Sequence, residues 1–186
     1  MRQSSLKAGD SAVVFGAGPI GLMVIESLKA AGAASIHAVE LSAARKQRAS
    51  ELGAIVHDPT EREIVERLMA ASGGGFDVAF EVTGLPAVLN QSIASTHPGG
   101  ETVIVSIWES EAAIHPNQLV IQERTLKGII AYRHIYPAVI ALMQQGYYRA
   151  EDLVTARIAL DDVVSQGFEA LLADKAQVKI LVDPSA

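Results

Sequence analysis

The sequence contains no cysteine. That excludes disulfides and thiolate-ligated zinc within the chain, and it leaves the redox compartment open. Aromatic residues make up only 5%, too few for a base-stacking platform. Positive charge never gathers: no run of Lys or Arg is longer than two, and the formal net charge is −6. Arg45, Lys46 and Arg48 read as a solvated helix face, so no nucleic-acid partner is expected. No apolar run approaches the ~20 residues of a membrane-spanning helix. The first ten residues are polar and lack an apolar signal core. No membrane partner is expected, and a cytoplasmic protein is the default. The five histidines, His37, His57, His97, His115 and His134, show no ligand spacing, so no metal site is expected. There is no G-x-S-x-G elbow, and no tyrosine has a lysine four positions on. No catalytic residue is assigned within the chain.

What the sequence does have is concentrated in residues 13–21, Val-Val-Phe-Gly-Ala-Gly-Pro-Ile-Gly. Gly16, Gly18 and Gly21 form a G-x-G-x-x-G between an apolar run and a helical pattern. Each glycine answers a steric demand: the tight turn, the close approach of a pyrophosphate, and the packing of helix on strand. The first amides of the helix have no intrahelical partner and suit a bound anion. Pro19 and Ile20 open that helix, and proline is at home there because its missing N–H would be unpaired anyway. A second apolar strand follows and ends in Glu40, 19 residues after Gly21. That is near the separation expected of the carboxylate that binds the adenosine ribose. A plain βαβ unit, with glycines for packing and Glu40 capping the next turn, is the simpler alternative.

At 186 residues, 49% hydrophobic and 19% charged, the chain suits a soluble α/β domain. Strand and helix patterns alternate, which predicts a parallel sheet covered on both faces. Strands are expected at residues 12–16, 35–40, 54–57, 76–82, 101–107 and 125–131. Helices are expected at 19–31, 43–52 and 86–95. A further helix should begin with a capping box, Thr60 and Glu63, ahead of Ile64, Val65 and Leu68. Six such strands match a doubly wound Rossmann sheet in the order 3-2-1-4-5-6. The dinucleotide-binding domain is expected over residues 1–150. A β-α-β tail follows over 151–186, its helix capped by Asp161 and its last strand at 178–182.

Two stretches carry a family resemblance. Residues 9–21 and residues 76–84 (Phe-Asp-Val-Ala-Phe-Glu-Val-Thr-Gly) are similar to zinc-dependent medium-chain alcohol dehydrogenases. Within that family Val39-Glu40, Ala131-Tyr132-Arg133-His134 and residues 160–163 resemble segments of the butanediol dehydrogenases of the R,R type. The resemblance covers nearly the whole chain and implies the NAD(H)-binding domain of such an enzyme. Its reaction would be reversible hydride transfer between a secondary alcohol and NAD. Zinc would be held only by a separate catalytic domain, whose Cys and His ligands this sequence lacks. A domain fragment, inactive by itself, is therefore the expectation, and the tail would return to that other domain.

The resemblance also assigns roles. Gly16, Gly18 and Gly21 would take the pyrophosphate. Glu40 would take the ribose and repel a 2′-phosphate, favouring NAD over NADP. Arg45 would stand near the same ribose, though an ordinary solvated arginine explains it equally well. Val82, Thr83 and Gly84 would line the adenine side. Val105, Ser106 and Ile107 would flank the nicotinamide, with plain core packing as the alternative for Val105 and Ile107. Ile129 and Ala131 would offer backbone groups to the carboxamide. A homodimer is expected through strand six, pairing across a two-fold axis. Two other readings remain: a stand-alone, non-enzymatic nucleotide-sensing domain, and a methyltransferase, against which the full glycine pattern speaks.

Overall fold

Four consecutive residues, Ala12, Val13, Val14 and Phe15, are each no more than 1% exposed. An unbroken apolar run of this kind is what a parallel strand buried on both faces requires. It is β1 (Ser11–Phe15), the centre of a six-stranded parallel sheet. The computed structural model describes residues 1–174 and 176–185. The chain divides into two compact units, Met1–His134 and Ile135–Ala186.

In the first unit, α1 (Pro19–Ala30) follows β1 and buries Leu22, Ile25 and Leu28 on one stripe. β2 (Ser35–Val39), α2 (Ala43–Glu51) and β3 (Ile55–His57) extend the sheet to one side of β1. α3 (Ile64–Ser72) crosses back to β4 (Phe76–Glu81) on the other side. α4 (Pro86–Ala94), β5 (Thr96–Ile104), α5 (Asn117–Val120) and β6 (Thr125–Gly128) complete it. The strand order is β3-β2-β1-β4-β5-β6, the predicted doubly wound arrangement. One core cluster joins Val13, Phe15, Val39, Phe76 and Ala79 of the sheet to Ile64 and Leu68 of α3. The order of connection reverses between β1 and β4, and the carboxyl ends of these strands form the crevice where such sheets take ligands.

Several local expectations are corrected. Thr60 does not cap α3. Its amide and hydroxyl both donate to Asp58 Oδ1, at 2.8 and 2.6 Å, forming a local turn. Glu63 instead enters the helix with φ 59°. Asp58 lies two residues before Thr60 and captures the hydroxyl that a capping box would have used. β5 begins at Thr96, earlier than expected, because residues 97–100 are taken into the strand. The register with β4 shifts between Phe76 and Val78 to accommodate them. β6 is shorter than residues 125–131. Ile129 makes one more ladder bond, to Ile104 O at 3.1 Å, and then Ala131 turns away with φ 55°.

The second unit contains α6 (Tyr136–Gln144), α7 (Ala150–Leu153) and a parallel pair, β7 (Val154–Ala159) with β8 (Lys179–Asp183). The link between β7 and β8 is not one regular helix. It passes through a 3-10 turn (Leu160–Asp162), a π-helical stretch (Val163–Glu169) and α8 (Ala170–Ala173). Asp161 therefore lies inside the opening turn and caps nothing. Gly167 in the π stretch is buried, and a Cβ there would stand 3.4 Å from Ile158 of β7.

Candidate functional site

The glycine turn follows β1 directly. Gly16 donates its amide to Val39 O at 2.8 Å, which ties the turn to β2. Its φ of 99° lies in the region reserved for glycine. A Cβ at Gly21 would fall 1.9 Å from Gly16 O, so α1 can press this closely on the turn only without a side chain there. Gly18 is different. Its backbone is extended, and a Cβ there would meet nothing nearer than Arg45 Nη1 at 3.8 Å. Nothing in the chain itself demands glycine at position 18; its bareness serves whatever enters the cleft. Pro19 stands at the start of α1, so the amides of Gly18, Ile20 and Gly21 have no intrahelical partners. Ile20 is half exposed at the same end.

Glu40 follows β2 and is only 8% exposed. Its Oε2 accepts from the Ala17 amide at 2.8 Å, and its Oε1 from the amides of Leu41 and Ser42 at 2.9 Å each. The carboxylate thus ties the glycine turn to the end of β2. A carboxylate has about four acceptor positions, so three amide donors leave capacity for a ligand hydroxyl. Gly16, Gly18, Glu40, Arg45, Val82 and Thr83 share one cleft of about 340 Å³. Pro59, Leu85, Val88 and Gln91 also line it, and the sequence reading named none of these four. The cleft offers bare backbone and a helix N-terminus for an anion, a buried carboxylate for hydroxyls, and apolar walls for a ring.

The remaining candidates stand apart from that cleft. A Cβ at Gly84 would come within 3.2 Å of Ile107 O. Val105 donates its amide to Glu81 O at 2.9 Å, continuing the β4–β5 ladder beyond β5. Ser106 donates its hydroxyl to Glu81 Oε2. Ile107 is 83% exposed. Ile129 and Ala131 follow β6, on the far side of β5. Glu81 itself was missed. The signal was an acid closing a mostly apolar strand, one residue ahead of Thr-Gly.

Two ionisable groupings lie close by. His37 of β2 and His57 of β3 are joined through Nδ1 and Nε2 at 2.8 Å, with their rings stacked. Burial, and then the neighbouring His57, push the His37 pKa down to about 4. Burial, and then Arg67, lower that of His57. The Lys46 ammonium, 2.6 Å away, and the Thr60 donors hold the Asp58 carboxyl well below the usual carboxylate range. Among the described residues no three His, Asp or Glu side chains gather as metal ligands.

A 3-2-1-4-5-6 parallel sheet with this turn at its switch point, and an acid at the end of β2, defines the Rossmann class of nucleotide-binding fold. Residues 19–145 match the family described as zinc-binding dehydrogenases, and the chain belongs to that family. It is 61% identical to the (R,R)-butanediol dehydrogenase of Bacillus subtilis, over all of this chain and 54% of that protein. A crystal structure of the B. subtilis 2R,3R-butanediol dehydrogenase superposes with a TM-score of 0.95 at 62% identity, over 98% of this chain and 53% of that one. A family structure from Sinorhizobium meliloti with NADP bound, 26% identical, superposes with a TM-score of 0.86 over 98% and 55%. The chain spans about half the length of the relatives it matches. The described residues do not fit a zinc ion, since the sequence has no cysteine and no ligand cluster forms. They do fit a dinucleotide: the empty Cβ position at Gly18 and the spare acceptor capacity of Glu40 lie in one cleft.

Proposed function

We propose that the protein binds NAD(H) in preference to NADP(H). On this reading it is the cofactor-binding part of an alcohol dehydrogenase acting on butanediol-type secondary alcohols. The observation that carries the reading is Glu40, a buried carboxylate in the same cleft as the glycine turn. The pyrophosphate would sit against the amides around Gly18 and the start of α1, where the helix dipole favours negative charge. The adenosine ribose would give its hydroxyls to Glu40. A 2′-phosphate there would bring two negative groups together in a partly desolvated pocket, which is costly. The S. meliloti relative has NADP bound; on the present reading Glu40, which follows β2, turns this chain toward NAD.

When bound, the nicotinamide ring would supply the hydride acceptor. The residues of this chain bind and orient it, through the cleft on one side of β4 and the ends of β5 and β6 on the other. The proposed dinucleotide-binding domain spans residues 1–150, and the butanediol substrate rests on the kinship with the B. subtilis enzyme. A homodimer through the β6 edge belongs to the same proposal. Titration with NADH and NADPH, followed by cofactor fluorescence, tests the reading. NADH should bind at least about tenfold more tightly, a difference of about 1.4 kcal/mol. Glu40→Gln, which keeps an acceptor oxygen but loses the charge, should narrow the gap. Equal or tighter NADPH binding by the unaltered protein would refute it.

A further inference from the structure

Glu81 is the last residue of β4 and is 0% exposed. It lies between Phe15 of β1 and Ile104 of β5 in the sheet register. No ion pair to it is found among the described residues. A buried, unpaired charge is costly unless donors satisfy it, and here both oxygens are satisfied by residues just after β4 and β5. Oε1 accepts from the Thr83 amide at 2.7 Å, the Thr83 hydroxyl at 2.6 Å and the Gly84 amide at 2.9 Å. Oε2 accepts from the Ser106 hydroxyl.

These bonds reach further than β4. Donating its hydroxyl hydrogen bond to Glu81 fixes the Thr83 side chain, whose methyl lies 2.9 Å from where a Cβ on Gly16 would stand. The same carboxylate therefore holds a side chain that leaves room only for glycine at position 16. Through Ser106 it holds the residues just after β5. The Ser106 hydroxyl has one hydrogen, already committed to Glu81, so toward any ligand Ser106 can only accept.

We infer that Glu81 is a positioning residue, a buried carboxylate that locks Thr83–Gly84 and Ser106 into one frame and so sets the end of β5 for the nicotinamide half of the cofactor. The inference rests on the dinucleotide reading above. Glutamine at position 81 separates its two arms. The amide oxygen can keep the Thr83 and Gly84 donors, but the amide nitrogen would face Ser106 as a donor and reverse the polarity of that bond.

The test measures NADH and AMP binding to the protein and to Glu81→Gln, Ser106→Ala and their double variant, with thermal unfolding to confirm folding. AMP carries the adenosine half alone. Each single variant should weaken NADH roughly five- to tenfold, the scale of one ordinary hydrogen bond, and leave AMP unchanged. The double variant should be no weaker than the weaker single one, since both substitutions act on the same Glu81–Ser106 contact. Unchanged NADH binding, a parallel loss of AMP, or additive losses in the double variant would overturn the inference. If Glu81→Gln does not fold, Ser106→Ala decides alone: a loss confined to NADH supports the frame, and unchanged NADH binding overturns it. Failure of the unaltered protein to bind either ligand would instead overturn the dinucleotide reading itself.

Discussion

Three glycines in one motif do different work, and the difference can be measured. Gly21 is demanded by the fold, because a Cβ there would overlap Gly16 O at 1.9 Å and neither backbone can move aside. Gly21→Ala should cost roughly 3 kcal/mol, at the upper end of overpacking effects, seen as a lowered denaturation midpoint. A Cβ at Gly18 would meet nothing nearer than 3.8 Å, so on the dinucleotide reading its glycine serves the ligand. Gly18→Val should leave the midpoint nearly unchanged and weaken NADH binding about tenfold or more, by blocking the approach of the pyrophosphate. Both losses on one curve, or a destabilised Gly18→Val, would contradict this division. The sequence makes the motif legible but not the division, because spacing alone does not show which Cβ would meet protein and which would meet open space. Glu40 was legible for the same reason as the glycines, since it stands at a fixed distance along a βαβ unit. Of its three amide bonds, those from Leu41 and Ser42 are local and match the turn-capping alternative, whereas the one from Ala17 was not legible, because it depends on the chain folding back on itself. Glu81 escaped notice because its partners lie on two separate loops.

Among the strands and helices, long apolar runs announced themselves and ends did not. β1 and β4 are mostly apolar and are placed within a residue. α3 began where Asp58 and Glu63 dictated, not where Thr60 suggested. β6 stopped at the left-handed turn of Ala131, which no residue pattern marks. The pairing of β2 with β3 carries a prediction of its own. His37 and His57 share one hydrogen between facing nitrogens, so a doubly protonated pair must break its bond. His37 titrates at about 4 in the folded protein, against the ordinary 6.5 when unfolded. The unfolded chain therefore binds more protons between those values, and stability must fall as the pH drops from about 6.5 toward 4. The loss should be on the order of 2–3 kcal/mol if His37 acts alone. Thermal unfolding across that range should show it, with a shallower slope in His57→Gln. A midpoint that holds flat from pH 7 to pH 4.5 would reject this role for the pair.

At the scale of the whole molecule, the six-stranded sheet has one edge at β3 and another at β6. β3 is a three-residue strand, and short edges resist pairing. β6 leads into Ile130, 68% exposed, and its outer backbone groups offer a ladder to another chain. A two-fold contact needs only this one self-complementary strip. Light scattering should give a dimer at micromolar concentration, and Leu126→Pro, which removes a ladder donor, should shift it toward monomer. A monomeric unaltered protein, or a dimer indifferent to that substitution, would exclude the β6 contact.

The central claim is that a dinucleotide lies across the glycine turn with its ribose at Glu40. Amide chemical shifts of the isotopically labelled protein, followed during titration with NAD, test it most directly. The account predicts the largest changes at Ala17, Gly18, Ile20 and Gly21, with further changes at Leu41, Ser42 and Thr83. Saturating NAD that leaves those amides unmoved, or moves only residues outside the β1–β4 crevice, would contradict it.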